Sequence, residues 1–335
     1  MQLSILDQSP VLAGHDAARA VHETLALARR AEELGYARYW LAEHHAIASL
    51  GDPSPEVLLA RRGAETRRMR IGTGGVLLPY YSAFKVAEVF RMLEALYPGR
   101  IDLGIGRAPG GDRSTALAVG GGKFPDAEDF PQQVWQLAAH LHGTLPDEHP
   151  FRQVRLQPET GTAPEIWLLG SSGYSGALAA QLGLRFAFAH FINASGGDAV
   201  TRAYKQKFQA SEAESQPHAL LCCFAICAST DAEAERLAKV IDLRRLYMAL
   251  DFDLPVPTQE EAEQRRYSAE ERAYVESQRP RVVVGAPQRC RELLEALAAQ
   301  YSADELMILT ITGDYASRLR SYELLAGAFS LQTRV

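Results

Sequence analysis

The stretch EIWLLGSSGYSGALAAQLGLRFAFAH, residues 165–190, decides the fold. An apolar run ends at Gly170, and Gly170-Ser171-Ser172-Gly173-Tyr174-Ser175 turns the chain. Leu178 and Leu182 share one side of a helix, and a second apolar and aromatic run begins at Leu184. Two strand-like runs joined by a helix are the repeating unit of a parallel sheet, because parallel strands need a crossover and a helix is the usual one.

Outward from this unit the alternation covers almost the whole chain. Strands are expected near 2–6, 37–43, 69–77, 100–106, 164–170, 184–191, 219–228, 281–284 and 305–311. The helices between them carry their own punctuation. Asp16 is placed to cap a helix with Val21, Leu25 and Ala28 on one face and Gly35 at its end, and Ser54-Pro55 opens another. Ser82 starts a third, with Val86, Val89, Phe90, Leu93 and Leu96 inward and Pro98-Gly99 stopping it; Asp314 precedes the last, with Tyr315, Leu319, Tyr322 and Leu325.

Nine strand candidates are one more than a closed (β/α)8 barrel uses. The surplus is 281–284, because Val282-Val283-Val284 sits in a stretch rich in proline, charge and helix formers, as an insertion after the seventh strand would. The chain therefore reads as one α/β domain, residues 1–335, a (β/α)8 TIM barrel with insertions near 108–130 and 240–285. The Gly-rich, then acidic 108–130 and the charged 240–280 are too long for simple connections and read as active-site loops or lids.

Composition narrows the function. With 47% hydrophobic and 23% charged residues the chain belongs among ordinary globular proteins. The net charge is −6 and the basic residues are scattered, which argues against a nucleic-acid partner. The longest apolar run, Ala219 to Ala228, spans ten residues, about half of what a membrane-spanning helix needs. Met1 leads straight into Leu3-Ser4-Ile5-Leu6 without a secretory signal, so a cytoplasmic protein is expected. Four cysteines, three of them crowded at Cys222, Cys223 and Cys227, read as reduced core thiols rather than a disulfide framework.

In a parallel α/β fold the site lies at the carboxyl ends of the strands. Those positions here hold Asp7-Gln8-Ser9-Pro10, Glu43-His44-His45, Gly74-Gly75, Gly106-Arg107, Gly170 to Tyr174, and His190. The Ser171-Ser172 turn opens a helix, so free N–H groups and hydroxyls there suit an anion, although a plain turn with a serine cap fits equally well. Arg107, ending the adjacent strand, tips the balance, since its guanidinium would pair with a phosphate held at that helix start. His44 and His45 alternate in direction and so do not ligate one metal together, and His-Glu-x-x-His is absent. No metal is expected. A third glycine is missing after Gly104 and Gly106, and neither a Walker loop nor a Gly-x-Ser-x-Gly elbow occurs, which removes the main support for a dinucleotide dehydrogenase, a nucleotide triphosphatase or a serine hydrolase.

Four segments taken together resemble the bacterial luciferase-like flavin-dependent monooxygenases: Leu6-Asp7-Gln8-Ser9-Pro10, Trp40-Leu41-Ala42-Glu43-His44-His45, Ile71-Gly72-Thr73-Gly74-Gly75-Val76 and Gly99-Arg100 through Arg107. Asp129-Phe130-Pro131, Leu168-Leu169-Gly170-Ser171-Ser172, Val284-Gly285-Ala286-Pro287 and Leu309-Thr310-Ile311-Thr312 continue the match, in order, over nearly the whole chain. The resemblance implies a homodimer packed through helices near the second and third strands, and reduced FMN supplied by a separate flavin reductase. It also implies activation of O2 as a flavin C4a-hydroperoxide that oxygenates a small organic substrate such as an aldehyde, ketone or aromatic compound. By the same resemblance His44 is the active-site histidine, Gly74-Gly75 a non-prolyl cis peptide beneath the flavin, and Arg107, Ser171, Ser172 and Tyr174 the phosphate side. Ala46 departs from the family, in which a more polar residue often follows the histidines. Two other readings stay open: a hydride-transfer oxidoreductase using the deazaflavin F420, and a flavin-binding protein without turnover.

Overall fold

The computed structural model describes residues 1–108, 110–126 and 128–332; Pro109 and Ala127, within the expected 108–130 insertion, lie outside the described residues. Nine strands run in one parallel sheet: β1 (Gln2–Asp7), β2 (Arg38–Leu41), β3 (Arg70–Leu77), β4 (Ile101–Gly106), β5 (Glu165–Gly170), β6 (Arg185–Ala189), β7 (Ala219–Cys227), β8 (Val282–Gly285) and β9 (Glu305–Leu309). β1 to β7 pair in sequence order, β7 pairs with β9, and β9 returns to β1, closing an eight-stranded (β/α)8 barrel. β8 stands outside the ring. It pairs with the upper half of β7, from Phe224↔Val282 to Cys227↔Gly285, whereas β9 takes the lower half from Leu220 to Phe224. The segment set aside from the barrel on its sequence is thus a strand, but not a barrel strand.

Local chemistry explains the helices. The Asp16 carboxylate accepts from the Arg19 N–H at 2.8 Å, and Gly35 closes Ala17–Leu34 in the left-handed conformation at φ 89°. Ser82 and Asp314 cap Ala83–Leu96 and Tyr315–Ala328 in the same way. Ser54 differs: it precedes Pro55, yet its side chain makes no capping bond, and its own N–H donates to Asp52. Leu96, expected inward, is exposed, because it lies with Met92 on the outer side of the helix, where both line a surface groove beside Val57.

The 240–280 stretch is mostly helical rather than an open loop. Helix Asp231–Ala249 runs into it, and Gln259–Gln264 and Ala269–Gln278 each begin with a capping box, Thr258 with Glu261 and Ser268 with Glu271. The 108–130 stretch also holds a helix, Arg113–Val119, capped by Asp112. Among the described residues no helix is long and apolar enough to cross a membrane. All four cysteines are free and buried.

The barrel interior is layered. At its amino-terminal end Arg38 bonds to Asp102 at 2.9 Å, Glu165 at 2.8 Å and Glu305 at 3.0 Å, uniting β2, β4, β5 and β9. Burial alone would make the guanidinium easier to deprotonate, but the three carboxylates overcome that and hold its pKa well above the usual value. Above this layer Trp40 meets Trp167 edge to face, with ring centroids 5.2 Å apart, and the Trp40 indole N–H donates to Asp102 at 2.8 Å. The cavity at the carboxyl end of the barrel opens above Trp40.

Candidate active site

A cavity of about 310 Å³ occupies the carboxyl end of the barrel, within the lower range of small-molecule pockets, roughly 300–1,000 Å³. Its apolar floor and walls come from inward strand residues: Leu6, Trp40, Gly74, Leu169, Ala187, Leu220, Cys222 and Met307. Alternation along each strand delivers these side chains inward and their neighbours to the helical layer. Small residues on β3, β4 and β6 leave the room. A Cβ on Gly75 would stand 2.7 Å from the Gly104 carbonyl oxygen and so meet fixed backbone, whereas one on Gly74 would stand 2.7 Å from Leu6 Cδ1 and 3.1 Å from the Trp40 ring and so require those side chains to shift. The Gly74-Gly75 peptide is cis.

His44, Gly74, Gly75, Arg107, Ser171 and Ser172 all line this cavity. Tyr174 does not; its ring lies under the Arg107 guanidinium, 4.3 Å from centroid to Cζ. That contact places the Arg107 charge beside the start of helix Gly173–Leu182. Ser172, the residue before that helix, makes no capping bond with its side chain, and Asn193 Nδ2 donates to the Ser171 carbonyl at 3.1 Å.

At the opposite side the chain after β2 divides its two histidines. His44 faces the cavity, and its Nδ1 is buried without a hydrogen-bond partner. His45 Nε2 lies 2.8 Å from Glu43 Oε1. The His44 imidazole has a pKa lowered to about 4, first by burial and then by the positive charge of Arg244, against the opposing pull of the Ala42 carbonyl. An imidazole in water titrates near neutrality; this one is neutral there, because water is scarce around it and a cation stands close.

Glu43 carried no role in the sequence reading, yet it organises this end. Its carboxylate accepts from Tyr81 Oη at 2.6 Å and from the Leu77 N–H at 2.9 Å, besides meeting His45. Tyr81 and Leu77 lie 38 and 34 positions away in sequence, so no spacing announces them. Asp52, whose carbonyl accepts the His44 N–H at 3.1 Å, is pushed up to about 7, chiefly by burial. Of the other strand-end candidates, Asp7 is structural, bonded to Arg318 at 2.6 Å and to the Ser9 N–H at 2.7 Å. His190 is buried against Tyr301 rather than on the cavity wall.

A closed parallel barrel with such a cavity at its carboxyl end has the form of a TIM-barrel enzyme. This chain belongs to the luciferase-like monooxygenase family, whose sequence pattern matches residues 1–304. The N-acetyl-S-alkylcysteine monooxygenase of Bacillus subtilis is 35% identical over 331 residues, covering 98% of each chain. The crystal structure of apo-MsnO8 superposes with a TM-score of 0.92 at 40% identity, covering 99% of each chain. The oxygenating constituent of 3,6-diketocamphane monooxygenase from Pseudomonas putida, in complex with FMN, shares the fold at a TM-score of 0.72 and 20% identity, covering 97% of this chain and 96% of its own.

Proposed function

We propose that this protein is an FMN-dependent monooxygenase that uses reduced FMN and O2 to oxygenate a small organic substrate. The observation that carries the proposal is the single cavity in which a cationic, helix-start end at Arg107 and Ser171-Ser172 and a histidine end at His44 share one apolar floor. The residues suit FMN. A phosphate needs a cation and free N–H and O–H donors, and Arg107 with the uncapped Ser172 turn supplies both. A flat ring needs backbone it can approach, and Gly74-Gly75 leave no side chain above theirs. The FMN complex of the Pseudomonas putida relative and the monooxygenase named in Bacillus subtilis support the same reading.

Reduced FMN, delivered by a separate reductase, would supply the electrons that activate O2. The protein's share is binding, shielding and proton handling. Arg107, Ser171 and Ser172 anchor the phosphate, and Tyr174 steadies the arginine. Leu6, Trp40, Leu169, Leu220 and Met307 keep water from the reacting centre. Neutral His44, with an unpartnered Nδ1, is free to hold or pass a proton at that atom. We place the enzyme in the cytoplasm as a homodimer, joined through helices Pro55–Gly63 and Ala83–Leu96, whose Val57, Met92 and Leu96 are exposed.

Fluorescence titration with FMN, riboflavin and F420, followed by mixing the reduced forms with air, tests the reading. FMN should bind most tightly and its reduced form should be reoxidised on the protein. Binding of F420 in preference to FMN would replace oxygenation by hydride transfer, and binding without any change in reoxidation would leave a flavin carrier.

A further inference from the structure

The end of β1 turns alternate side chains to opposite sides. Asp7 and Ser9 point out of the barrel, into hydrogen bonds with Arg318 and Thr24. Gln8 between them points in. It lines the cavity, is only 8% exposed, and its amide makes no hydrogen bond among the described residues. Glu43, on the same cavity, is by contrast already held by Tyr81, the Leu77 N–H and His45. An amide withdrawn from bulk water keeps its need for a donor and an acceptor, so an unpaired one on a cavity wall marks a place where a ligand supplies them.

Strand register says which ligand atoms can reach it. Asp7 pairs with Leu41 and Leu41 with Thr73, so the next residues, Gln8, Ala42 and Gly74, stand at one level of the barrel, and all three line the cavity. Leu6, the inward residue below Gln8, already reaches across to Gly74, where a Cβ would stand 2.7 Å from its Cδ1. A planar ring lying on the Gly74-Gly75 backbone therefore brings an edge to Gln8. In the ring order β1-β2-β3-β4-β5-β6-β7-β9, β1 stands across the barrel from β5, where Ser171 and Ser172 follow. The wall from β6 to β9 is Ala187, Leu220, Cys222 and Met307, whereas β1 and β2 present Gln8 and His44. Of the two ends of a flavin ring, the dimethylbenzene end suits the first wall and the polar pyrimidine end the second.

We propose that the Gln8 amide pairs with the pyrimidine edge of the flavin, accepting from its ring N–H through Oε1 and donating to the neighbouring carbonyl through Nε2. The inference deepens the FMN reading and rests on it; the unpaired amide level with Gly74 is the observation that carries it. That flavin edge is a donor flanked by acceptors. Its complement is a planar group with a donor and an acceptor side by side, which an amide is and an imidazole, whose nitrogens point apart, is not. Gln8 is thus a positioning residue. It fixes the rotation of the ring over Gly74-Gly75 and takes no part in the chemistry.

Riboflavin and N3-methylriboflavin, which differ only at the ring N–H, provide the test. Both are titrated into the full-length protein beside FMN and followed by flavin fluorescence. N3-methylriboflavin should bind about tenfold more weakly than riboflavin, because the methyl group removes the donor and leaves Gln8 Oε1 without a partner. Gln8→Leu should weaken riboflavin and FMN by about that same factor and leave N3-methylriboflavin nearly unchanged, so that the preference disappears. Arg107→Ala should leave the preference intact. Equal binding of the two riboflavins in the unsubstituted protein overturns the proposal without reference to any variant. A preference that survives Gln8→Leu overturns it as well, and its loss in His44→Ala would then assign the edge to β2. Flavin binding without the preference sinks this inference alone, whereas absence of any flavin binding sinks the FMN reading and this inference with it.

Discussion

His44 and His45 are adjacent in sequence and opposite in circumstance. The first is neutral, unpartnered at Nδ1 and on the cavity wall; the second is committed to Glu43. His44→Ala is expected to bind FMN within about threefold of normal, yet lose on the order of 10²–10⁴ in product-forming rate, with hydrogen peroxide released instead. His45→Ala should keep the rate and melt about 1–2 °C lower, as a lost hydrogen bond of roughly 1 kcal/mol implies for a chain of this size. Rapid mixing of the reduced flavin complex with O2, a peroxide assay and thermal melts would check both, and loss of rate in the His45 variant alone would reverse the assignment. At the proposed phosphate end, Arg107→Ala should weaken FMN at least about tenfold and leave riboflavin nearly unchanged. Equal losses for both flavins would mean that Arg107 acts on the ring or on folding.

At the scale of elements, what could be read in advance was whatever depends on neighbours in sequence. The βα units, the Asp16, Ser82 and Asp314 caps and the strand-end positions of His44, Arg107 and Ser171 all follow from periodicity and from residues within a few positions of one another. Long-range pairing was not legible. Glu43 acquires its role from Tyr81 and Leu77. The helices in 240–280 were missed for a different reason. Ala269–Gln278 buries none of its residues, so no apolar face signals it, and only the Ser268–Glu271 capping box marks its start.

Across the whole molecule, acid stability should trace the ion network at the amino-terminal end of the barrel. Burial works to raise the Glu305 pKa, but His218, Arg38 and Ser4 outweigh it and lower it to about 2. A carboxyl depressed in the folded state contributes stability that is complete above its unfolded value of roughly 4.3 and is lost as pH falls through about 2. Melting temperature should therefore decline between those limits, and Glu305→Gln should flatten that decline while lowering stability at neutral pH. A variant with an unchanged acid limb would remove Glu305 as its source. The dimer expected through Val57, Met92 and Leu96 is checked by light scattering at micromolar concentration: Met92→Glu with Leu96→Glu should yield monomer mass, and monomer mass in the unsubstituted protein would remove the claim.

The edge-to-face tryptophans between ion network and cavity divide the barrel into two compartments. Trp40 is the shared bulkhead: its ring edge roofs the network through Asp102, and its other side is cavity floor. Substrate range and thermal endurance can accordingly be engineered separately, the first by resizing Leu6, Ala187, Leu220 and Met307, the second by strengthening charges below, with Trp40 left untouched.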